Sequence, residues 1–356
     1  MTKRTLPATT VVLALLCLMY GLTYIDRVNV STAAPVFGKE LGLSNTQVGL
    51  VFSAFAYPYL FFQIFGGWVG DRYGARLALT VCAVIWAAAT IVTGLVTSLT
   101  GMLIARVALG FGEGATFPVA TRAMQNWTPL GRRGFAQGIT HAFARLGNAI
   151  TPPIVAWLIA LVAWRGSFIA LGIVSLGWAL IWGAYFRDNP TDHVRITSQE
   201  LERLPAFRSR GERIASAVPW ARLVRRMLPV TFVYFCYGWT LWLYLAWIPL
   251  FFLNSYRLNL RDSAFFAAGV FFGGVVGDTL GGIVSDRIYE KTGDRNRARR
   301  NLVVFGFLAS LTFMTPILFV HDVTVAALCL STAFFFSVGV FFVLRKKNAE
   351  GEGRNF

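Results

Sequence analysis

The chain has 356 residues, of which 56% are hydrophobic and only 14% are charged. An ordinary soluble domain carries about 25% charged residues, so this composition excludes a soluble globular protein and predicts a membrane protein. The formal net charge of +16 does not indicate nucleic-acid binding, because the basic residues are spread over successive loops and form no stripe.

Ten apolar stretches are long enough to cross a bilayer as helices. They are residues 10–36, 46–69, 77–97, 99–122, 134–161, 165–186, 227–254, 263–285, 301–320 and 323–344. With the N-terminus in the cytoplasm, the inside loops and tails hold 26 of the 33 Lys and Arg residues. This bias predicts a multi-pass protein of the cell (inner) membrane with both termini cytoplasmic and anionic lipid around its basic loops.

The N-terminus allows a second interpretation. Lys3 and Arg4 before a short apolar core resemble a secretory signal, but no small-x-small cleavage site precedes a soluble domain. We therefore expect the first apolar stretch to remain as a span.

A long polar segment divides the predicted spans into six and four. The expected organisation is an N-terminal six-helix bundle, a cytoplasmic inter-bundle loop, an incomplete C-terminal bundle of four helices and a polar cytoplasmic tail. These are residues 1–186, 187–226, 227–344 and 345–356. His193 has no second ligand at metal spacing, so we expect a solvated loop histidine.

The two halves share a repeat. The stretch "GGWVGDR" (Gly66 to Arg72) recurs as "GGIVSDR" (Gly281 to Arg287), and "YGLT" (residues 20–23) is echoed by "YGWT" (residues 237–240). Two parallel copies of a helical bundle are the architecture in which a path between the halves opens alternately. The repeat therefore favours a transporter.

Several spaced motifs resemble the major facilitator superfamily, in particular its anion:cation symporter branch. They are "YIDRVNVSTAAP", "SAFAYPYLFFQIFGGW", "GGWVGDRYGAR", "RVALGFGEGATFP" and "LGNAITPPIVAWL", in chain order. The resemblance implies an all-α membrane protein with two pseudo-symmetric bundles that transports small organic anions such as aldonates, aldarates or hexuronates. It implies a monomer without a cofactor. Relatives have twelve spans, so ten predict a permease truncated after its tenth span.

Six ionisable residues fall inside the predicted spans: Asp26, Arg27, Arg106, Glu113, Arg145 and Asp278. Each unpaired charge in the bilayer centre costs roughly 2.5 to 3.5 kcal/mol, so we expect them to face partners or water. At a rise of 1.5 Å per residue, Asp26 lies at a depth where it can meet Arg106. Arg27 can turn to Glu113 or to a central cavity. Static ion pairs between the first and fourth spans are the structural alternative.

The resemblance also implies roles for polar residues. The position of Glu113 matches a proton carrier, and that of Arg27 matches an anchor for the substrate carboxylate. Our hypothesis is that proton uptake on Glu113, with Asp26, frees Arg27 for an organic anion. Residues at three further positions match substrate contacts: Tyr24, Tyr59 and Gln63. Arg145 is either a second carboxylate anchor, which would indicate a diacid, or the partner of a neighbour, and Asp278 has no assigned role.

The repeated loop motif predicts a cytoplasmic gate. Asp71 lies near a helix end and is expected to pair with arginines across the bundle interface, closing the inward opening. The expected gate residues are Asp71, Arg72 and Arg76 of the first copy and Asp286 and Arg287 of the second.

Two other classes of protein remain as alternatives. A membrane-embedded enzyme is disfavoured because the three histidines are scattered and no HExxH, GxSxG or phosphate loop occurs. The four cysteines, at unrelated spacings, predict neither disulfides nor a metal site. A non-transporting truncated permease is the other alternative. The pattern leaves open which anion is carried, whether protons or sodium drive it, and whether symport or exchange occurs.

Overall fold

A computed structural model describes residues 6–205, 220–294, 300–319 and 321–352, and all regular structure within them is helical. The α-helices are α1 (Ala8–Glu40), α2 (Asn45–Tyr73), α3 (Ala75–Thr93), α4 (Leu99–Gly114), α5 (Thr116–Trp127), α6 (Arg133–Tyr185), α7 (Ser198–Arg203), α8 (Trp220–Ser255), α9 (Leu260–Thr292), α10 (Leu302–Met314) and α11 (Val323–Glu352). The all-α class that the family resemblance implies is therefore confirmed for this part of the chain.

Seven helical segments of the described residues are long and apolar enough to cross a membrane. One of them, Leu99–Trp127, combines α4 and α5. Another, Leu130–Tyr185, contains a break in its backbone at Val162 and Ala163, where the sequence predicts one span to end and the next to begin. Two shorter apolar helices, Leu302–Leu318 and Val323–Gly339, lie at the last two expected spans. The count of ten spans stays a prediction.

The break in α6 is fixed by hydrogen bonds to the end of α1. Ala163 has a positive φ of 57°, which interrupts the helix, and the next residue, Trp164, is buried. Trp164 Nε1 then donates to Glu40 Oε2 at 2.5 Å, and Arg165 forms an ion pair with the same carboxylate. The loop between these two parts of α6 is thus anchored to α1.

The described chain divides into two compact units. The first comprises Met1–Gly147 with Ile154–Ile214, and the second comprises Asn148–Pro153 with Ala215–Phe356. In the second unit α9 and α11 pack closely through glycines, and a Cβ at Gly273 would lie 2.7 Å from the carbonyl oxygen of Ser331. In the first unit α2 and α4 are similarly close, and this contact positions the candidate site described below.

The close contact of α2 with α4 continues at Gly66, whereas the neighbouring Gly67 lies outside it. A Cβ at Gly66 would lie 2.7 Å from the Cα of Ala115, whereas a Cβ at Gly67 would meet nothing within 4 Å. We expect Gly66→Ala to destabilise the protein by about 1 to 3 kcal/mol through overpacking. Gly67→Ala is the matched control and should be neutral or stabilising, because alanine favours the helix. Thermal unfolding in detergent checks the pair, and equal midpoints for the two variants would contradict the packing described.

The segment that follows α6, here called the return segment (residues 187–205), folds back onto the first unit. Asp188 Oδ1 accepts from the backbone N–H groups of Ala75 at 2.5 Å and Arg76 at 3.2 Å, at the start of α3. Glu200 Oε1 accepts from the backbone N–H and the hydroxyl of Thr9 at 3.0 and 2.8 Å, in the first turn of α1. The return segment therefore satisfies N–H groups that the first turns of α1 and α3 leave without helical partners.

His193 in the return segment is buried, so the expectation of a solvated histidine is wrong. Its side chain is 7% exposed, and its ring lies 5.2 Å from that of Trp127 and 4.7 Å from that of Tyr185. Its Nδ1 accepts from the backbone N–H of Arg195 at 3.2 Å. Burial, together with the positive charges of Arg187 and Arg195, lowers the pKa of His193.

Docking of the return segment should therefore weaken in acid. The docked state favours neutral His193, so its contribution is complete above the ordinary pKa of about 6.5 and is lost as the pH falls through the lower, docked value. Between about pH 6.5 and that lower value, we expect hydrogen-exchange protection of the return segment, corrected for intrinsic rates, to fall by up to tenfold per pH unit and then to level off. His193→Phe should remove this pH dependence, and the exposed His321→Gln should keep it. Equal acid sensitivity in His193→Phe would show that another group is responsible.

Candidate functional site

The centre of the candidate site is an ion pair between α1 and α4. Arg27 Nε and Nη2 each lie 3.0 Å from Glu113 Oε2. The side chains are almost fully enclosed, with residue exposures of 6% and 0%. Glu113 Oε1 has no hydrogen-bond partner among the described residues. Of the two orientations expected for Arg27, the structure shows the one toward Glu113.

Four aromatic rings surround the guanidinium of Arg27. Its Cζ lies 4.8 Å from the ring centroid of Tyr24, 4.7 Å from that of Tyr59, 5.5 Å from that of Phe55 and 5.3 Å from that of Phe117. A cation this close to a ring is attracted by the negative charge of the ring face, the more so away from water. This aromatic cage can hold the guanidinium in place when its carboxylate partner changes.

Tyr59, one of the cage rings, contacts Gln63 one turn further along α2. Gln63 Nε2 donates to the Tyr59 hydroxyl at 2.7 Å. Gly110 and Gly114, close to Glu113 on α4, allow α2 to approach. A Cβ at Gly114 would lie 2.9 Å from the Tyr59 carbonyl oxygen, and a Cβ at Gly110 would clash with the Phe55 carbonyl oxygen. The glycines of α4 therefore determine how near the rings of α2 come to Arg27.

Asp26 does not form the expected direct pair with Arg106. Neither carboxylate oxygen of Asp26 has a hydrogen-bond partner in the part of the chain that the structure describes, although the residue is only 3% exposed. The guanidinium of Arg106 lies instead over the ring of Phe55, 5.0 Å from its centroid. Helix rise brings the two residues to similar depths in the membrane, but Arg106 packs against an aromatic ring instead of the carboxylate. Arg106 and Arg27 still act on Asp26 through their charges.

Two more charged residues of the predicted spans, Arg145 and Asp278, are also buried. Arg145, on α6, is 3% exposed and follows one turn after His141. The ring of His141 lies 5.2 Å from that of Tyr20 on α1, a contact that sequence reasoning missed. Asp278 is 8% exposed and belongs to α9 in the second unit.

The gate residues of the first motif make contacts within the first unit. Asp71 forms an ion pair with Arg122 of α5, a partner that the sequence did not indicate. Arg76 Nε donates to the Gly183 carbonyl oxygen at 2.7 Å, near the end of α6, and Arg72 is exposed. Pairing of Asp71 across the bundle interface stays a prediction.

The second copy of the gate motif lies on α9. Arg287 is exposed there, and the side chain of Asp286 lies outside the described residues. The expected role of this copy therefore also stays a prediction.

Comparison with known proteins decides the family. Residues 16–349 match the sequence model of the Major Facilitator Superfamily. The chain belongs to this superfamily. It is therefore a multi-pass membrane protein of a transporter family and not an enzyme, as the sequence indicates.

Relatives within the superfamily are named as organic-acid transporters. The chain is 50% identical to "Probable sulfoacetate transporter SauU" of Cupriavidus necator over 91% of this chain and 76% of that protein. It is 32% identical to "Hexuronate transporter" of Bacillus subtilis over 76% of this chain and 63% of the relative. It is 30% identical to "Probable L-galactonate transporter" of Escherichia coli over 84% of this chain and 67% of that protein. The chain thus spans between about three fifths and three quarters of these three relatives.

A solved structure shows the same fold. The crystal structure of a bacterial homologue of the human lysosomal transporter Spinster, inward-facing and unoccupied, superposes with a TM-score of 0.75. The match covers 96% of this chain and 75% of that chain at 20% sequence identity. At this identity the likeness is one of fold, and it supports the helical major facilitator architecture.

Proposed function

We propose that this protein is a secondary active transporter of small organic anions that works by proton symport with alternating access. The observation that carries the proposal is the buried ion pair of Arg27 and Glu113 inside the aromatic cage. A static pair would stabilise the fold little over apolar packing, and ionisable groups in a membrane interior are functional by default. The family and the names of the relatives support transport, and the buried pair supports coupling to protons.

Arg27 is the anchor for the substrate in this proposal. Its planar guanidinium binds a carboxylate through two parallel hydrogen bonds and never loses its proton. The Tyr24 and Tyr59 rings lie on it at 4.8 and 4.7 Å. They present polar hydroxyl groups near the place where an anion would bind, and Gln63 contacts the Tyr59 hydroxyl. Together these side chains suit an anion whose skeleton carries hydroxyl groups, such as an aldonate, aldarate or hexuronate.

Glu113 is the proton carrier. A substrate carboxylate that takes Arg27 leaves Glu113 without its counter-charge at a position with 0% exposure. A buried carboxylate without a partner is strongly unfavourable, and uptake of a proton removes the charge. Binding of the anion and of the proton are therefore linked. Asp26, buried and close to the same arginines, is a second proton acceptor in this scheme, and Arg106 balances both acids.

The family supports the surrounding architecture that we propose. We propose two bundles, residues 1–186 and 227–344, that alternate access around the site, with the gate residues Asp71, Arg72, Arg76, Asp286 and Arg287 on the cytoplasmic side. The excess of basic residues in alternate loops supports an inner-membrane protein with cytoplasmic termini. The unit of transport is a monomer, because the pair and its cage lie within one chain.

The names of the relatives support the substrate class. One relative is named for sulfoacetate and others for hexuronate and L-galactonate. These compounds share an acid group on a small polar skeleton. We therefore propose that the substrate of this chain is a small organic acid of the same kind.

Uptake into proteoliposomes tests the proposal. Purified protein is reconstituted, and uptake of labelled sulfoacetate, D-galactonate and D-glucuronate is measured with a pH gradient, a sodium gradient or neither. We expect accumulation of at least one anion only when the outside is acidic. Accumulation driven by sodium alone would overturn proton coupling. Absence of both binding and uptake of every anion would favour the alternative of a non-transporting permease.

A further inference from the structure

The ring of Phe55 on α2 lies against two buried guanidinium groups. Its centroid is 5.0 Å from the Cζ of Arg106 and 5.5 Å from the Cζ of Arg27. Phe55 is 0% exposed, and the two arginines are 2% and 6% exposed, so both contacts are made away from water. The attraction between a cation and an aromatic face is stronger when both groups are desolvated. Phe55 therefore presents the partial negative charge of one ring to two cations.

Two further contacts hold the Phe55 ring in this position. The ring of Tyr59, one turn further along α2, stacks on it with centroids 5.2 Å apart and an angle of 25° between the planes. Gly110 of α4 leaves space for the Phe55 backbone, since a Cβ there would clash with the Phe55 carbonyl oxygen. The ring is thus kept beside α4, the helix that carries Arg106.

Asp26 is the acid that this arrangement leaves without a hydrogen-bond partner. It is 3% exposed, and neither of its carboxylate oxygens is hydrogen-bonded to any residue that the structure describes. The Nε of Arg106 has no hydrogen-bond partner among those residues either. The two side chains carry opposite charges that act on each other, and a charge-assisted hydrogen bond between them would be strong. The contact of Arg106 with the Phe55 ring stands in place of that bond.

The position of Arg106 determines how well the charge of Asp26 is compensated. The charged groups that act on Asp26 are those of Arg27, Arg106 and Glu113. Arg27 already pairs with Glu113 at 3.0 Å, so Arg106 is the cation that could pair with Asp26. Pairing with a guanidinium stabilises an ionised carboxylate and opposes its protonation. An Asp26 that is kept apart from Arg106 accepts a proton more readily.

We propose that Phe55 is a positioning residue for proton coupling, whose ring holds Arg106 away from Asp26 and so keeps this acid able to take up a proton. The inference rests on the proposed function, in which Asp26 is the second proton acceptor, and it adds a residue without an ionisable group. A ring with less attraction for cations should release Arg106 to pair with Asp26. Protonation of Asp26 should then require a more acidic medium.

A series of fluorinated phenylalanines at residue 55 tests the role of the ring. Each added fluorine withdraws electron density from the ring face and weakens its attraction for a cation, while the size of the ring changes little. Protonation of Asp26 is followed in purified protein by infrared spectroscopy, through the carboxylic-acid band that is absent from Asp26→Asn. We expect the pH at which this band is half-developed to fall stepwise from mono- to di- to trifluorophenylalanine. Phe55→Leu, which has no ring, should show a fall of about 1 to 3 pH units.

Two comparisons assign this effect to the contact with Arg106. Fluorinated phenylalanines at residue 62 are the matched control, because the ring of Phe62 on the same helix packs against that of Phe111 at 4.6 Å; they should leave the infrared titration unchanged. In Arg106→Gln the guanidinium that could pair with Asp26 is gone, so trifluorophenylalanine at residue 55 should no longer lower the midpoint. A fall of the same size in Arg106→Gln would overturn the proposed role of Phe55.

The outcomes separate this inference from the proposed function. A midpoint that does not move along the series at residue 55, or that moves equally at residue 62, would refute the inference and leave an organic-anion transporter. A wild-type Asp26 without a carboxylic-acid band in acid would refute it as well. Absence of anion uptake by the wild type would instead overturn the proposed function, and the infrared titration needs no uptake. Thermal unfolding shows which variants are folded, and a folded Phe55→Leu protein with the wild-type midpoint would contradict the inference.

Discussion

Replacing Glu113 by glutamine should abolish accumulation driven by a pH gradient while exchange of anion across the membrane continues. Glutamine has nearly the same shape but carries no ionisable proton, so the loaded carrier no longer needs proton uptake to neutralise a buried charge. Each coupled proton supplies about 1.4 kcal/mol per pH unit, or tenfold accumulation. In the variant, the substrate concentration inside should therefore equal the concentration outside, about 1 to 1, under a pH gradient that concentrates substrate about tenfold in the wild type.

Two measurements make this result specific to Glu113. Counterflow, in which labelled anion enters against unlabelled anion inside, should persist in Glu113→Gln because binding and alternation remain. Glu40→Gln is the control: Glu40 is an acid at the end of α1 that pairs with Arg165, and its loss should leave accumulation intact. Uphill uptake by Glu113→Gln at the wild-type level would remove Glu113 from proton coupling.

Replacing Arg27 by glutamine should remove anion binding and also destabilise the protein. The variant leaves Glu113 buried at 0% exposure without its cation, and breaking a buried pair in this way costs about 3 to 5 kcal/mol. The loss should appear as a lower midpoint of thermal unfolding in detergent and as absent calorimetric binding of substrate anions. Arg27→Lys should recover part of the stability but not the two-pronged binding that the guanidinium provides.

A partly exposed ion pair of the same unit provides the comparison. Arg122 pairs with Asp71, and both side chains are about 30% exposed. Arg122→Gln should therefore cost about 0 to 1 kcal/mol. The double variant Arg27→Gln with Glu113→Gln should be more stable than Arg27→Gln alone, because no unpaired charge remains, but should still fail to bind. A double variant as unstable as Arg27→Gln would contradict the account of the buried pair.

Sequence reasoning located the central pair because charge in a membrane is costly. Asp26, Arg27, Arg106 and Glu113 stand out from an apolar background, and periodicity along one helix gives their depth. The depth of a residue in the membrane does not show which way its side chain points around the helix or which side chains pack against it. The expected contact of Asp26 with Arg106 therefore failed, since the ring of Phe55 lies against Arg106.

The aromatic cage was only partly predictable. Tyr24 and Tyr59 carry hydroxyl groups that match polar positions of the family, whereas Phe55 and Phe117 look like ordinary packing residues in spans rich in phenylalanine. Their spacing is the only signal that the sequence contains, because Phe55 precedes Tyr59 by one turn and Phe117 follows Glu113 by one turn. A contact between helices that are distant in sequence is needed to show that both rings face Arg27.

The return segment was missed for a related reason. His193 has polar neighbours along the chain, and its burial depends on Trp127, which is distant in sequence and lies at the end of α5. The composition of the neighbouring residues alone predicts a solvated loop for such a segment. The break in α6, by contrast, was predictable, since the apolar stretches 134–161 and 165–186 leave a gap at the residues where the backbone turns.

The contacts of the return segment also determine when the first unit can be completed on the ribosome. The acceptor for the start of α3 is Asp188, 113 residues further along the chain, and the acceptor for Thr9 in α1 is 191 residues away. At a translation rate of about 5 to 20 residues per second, Asp188 is synthesised roughly 6 to 23 s after the start of α3. Glu200 is synthesised roughly 10 to 38 s after Thr9 of α1. During that interval the exposed N–H groups of nascent α1 and α3 have only water or insertion machinery as partners.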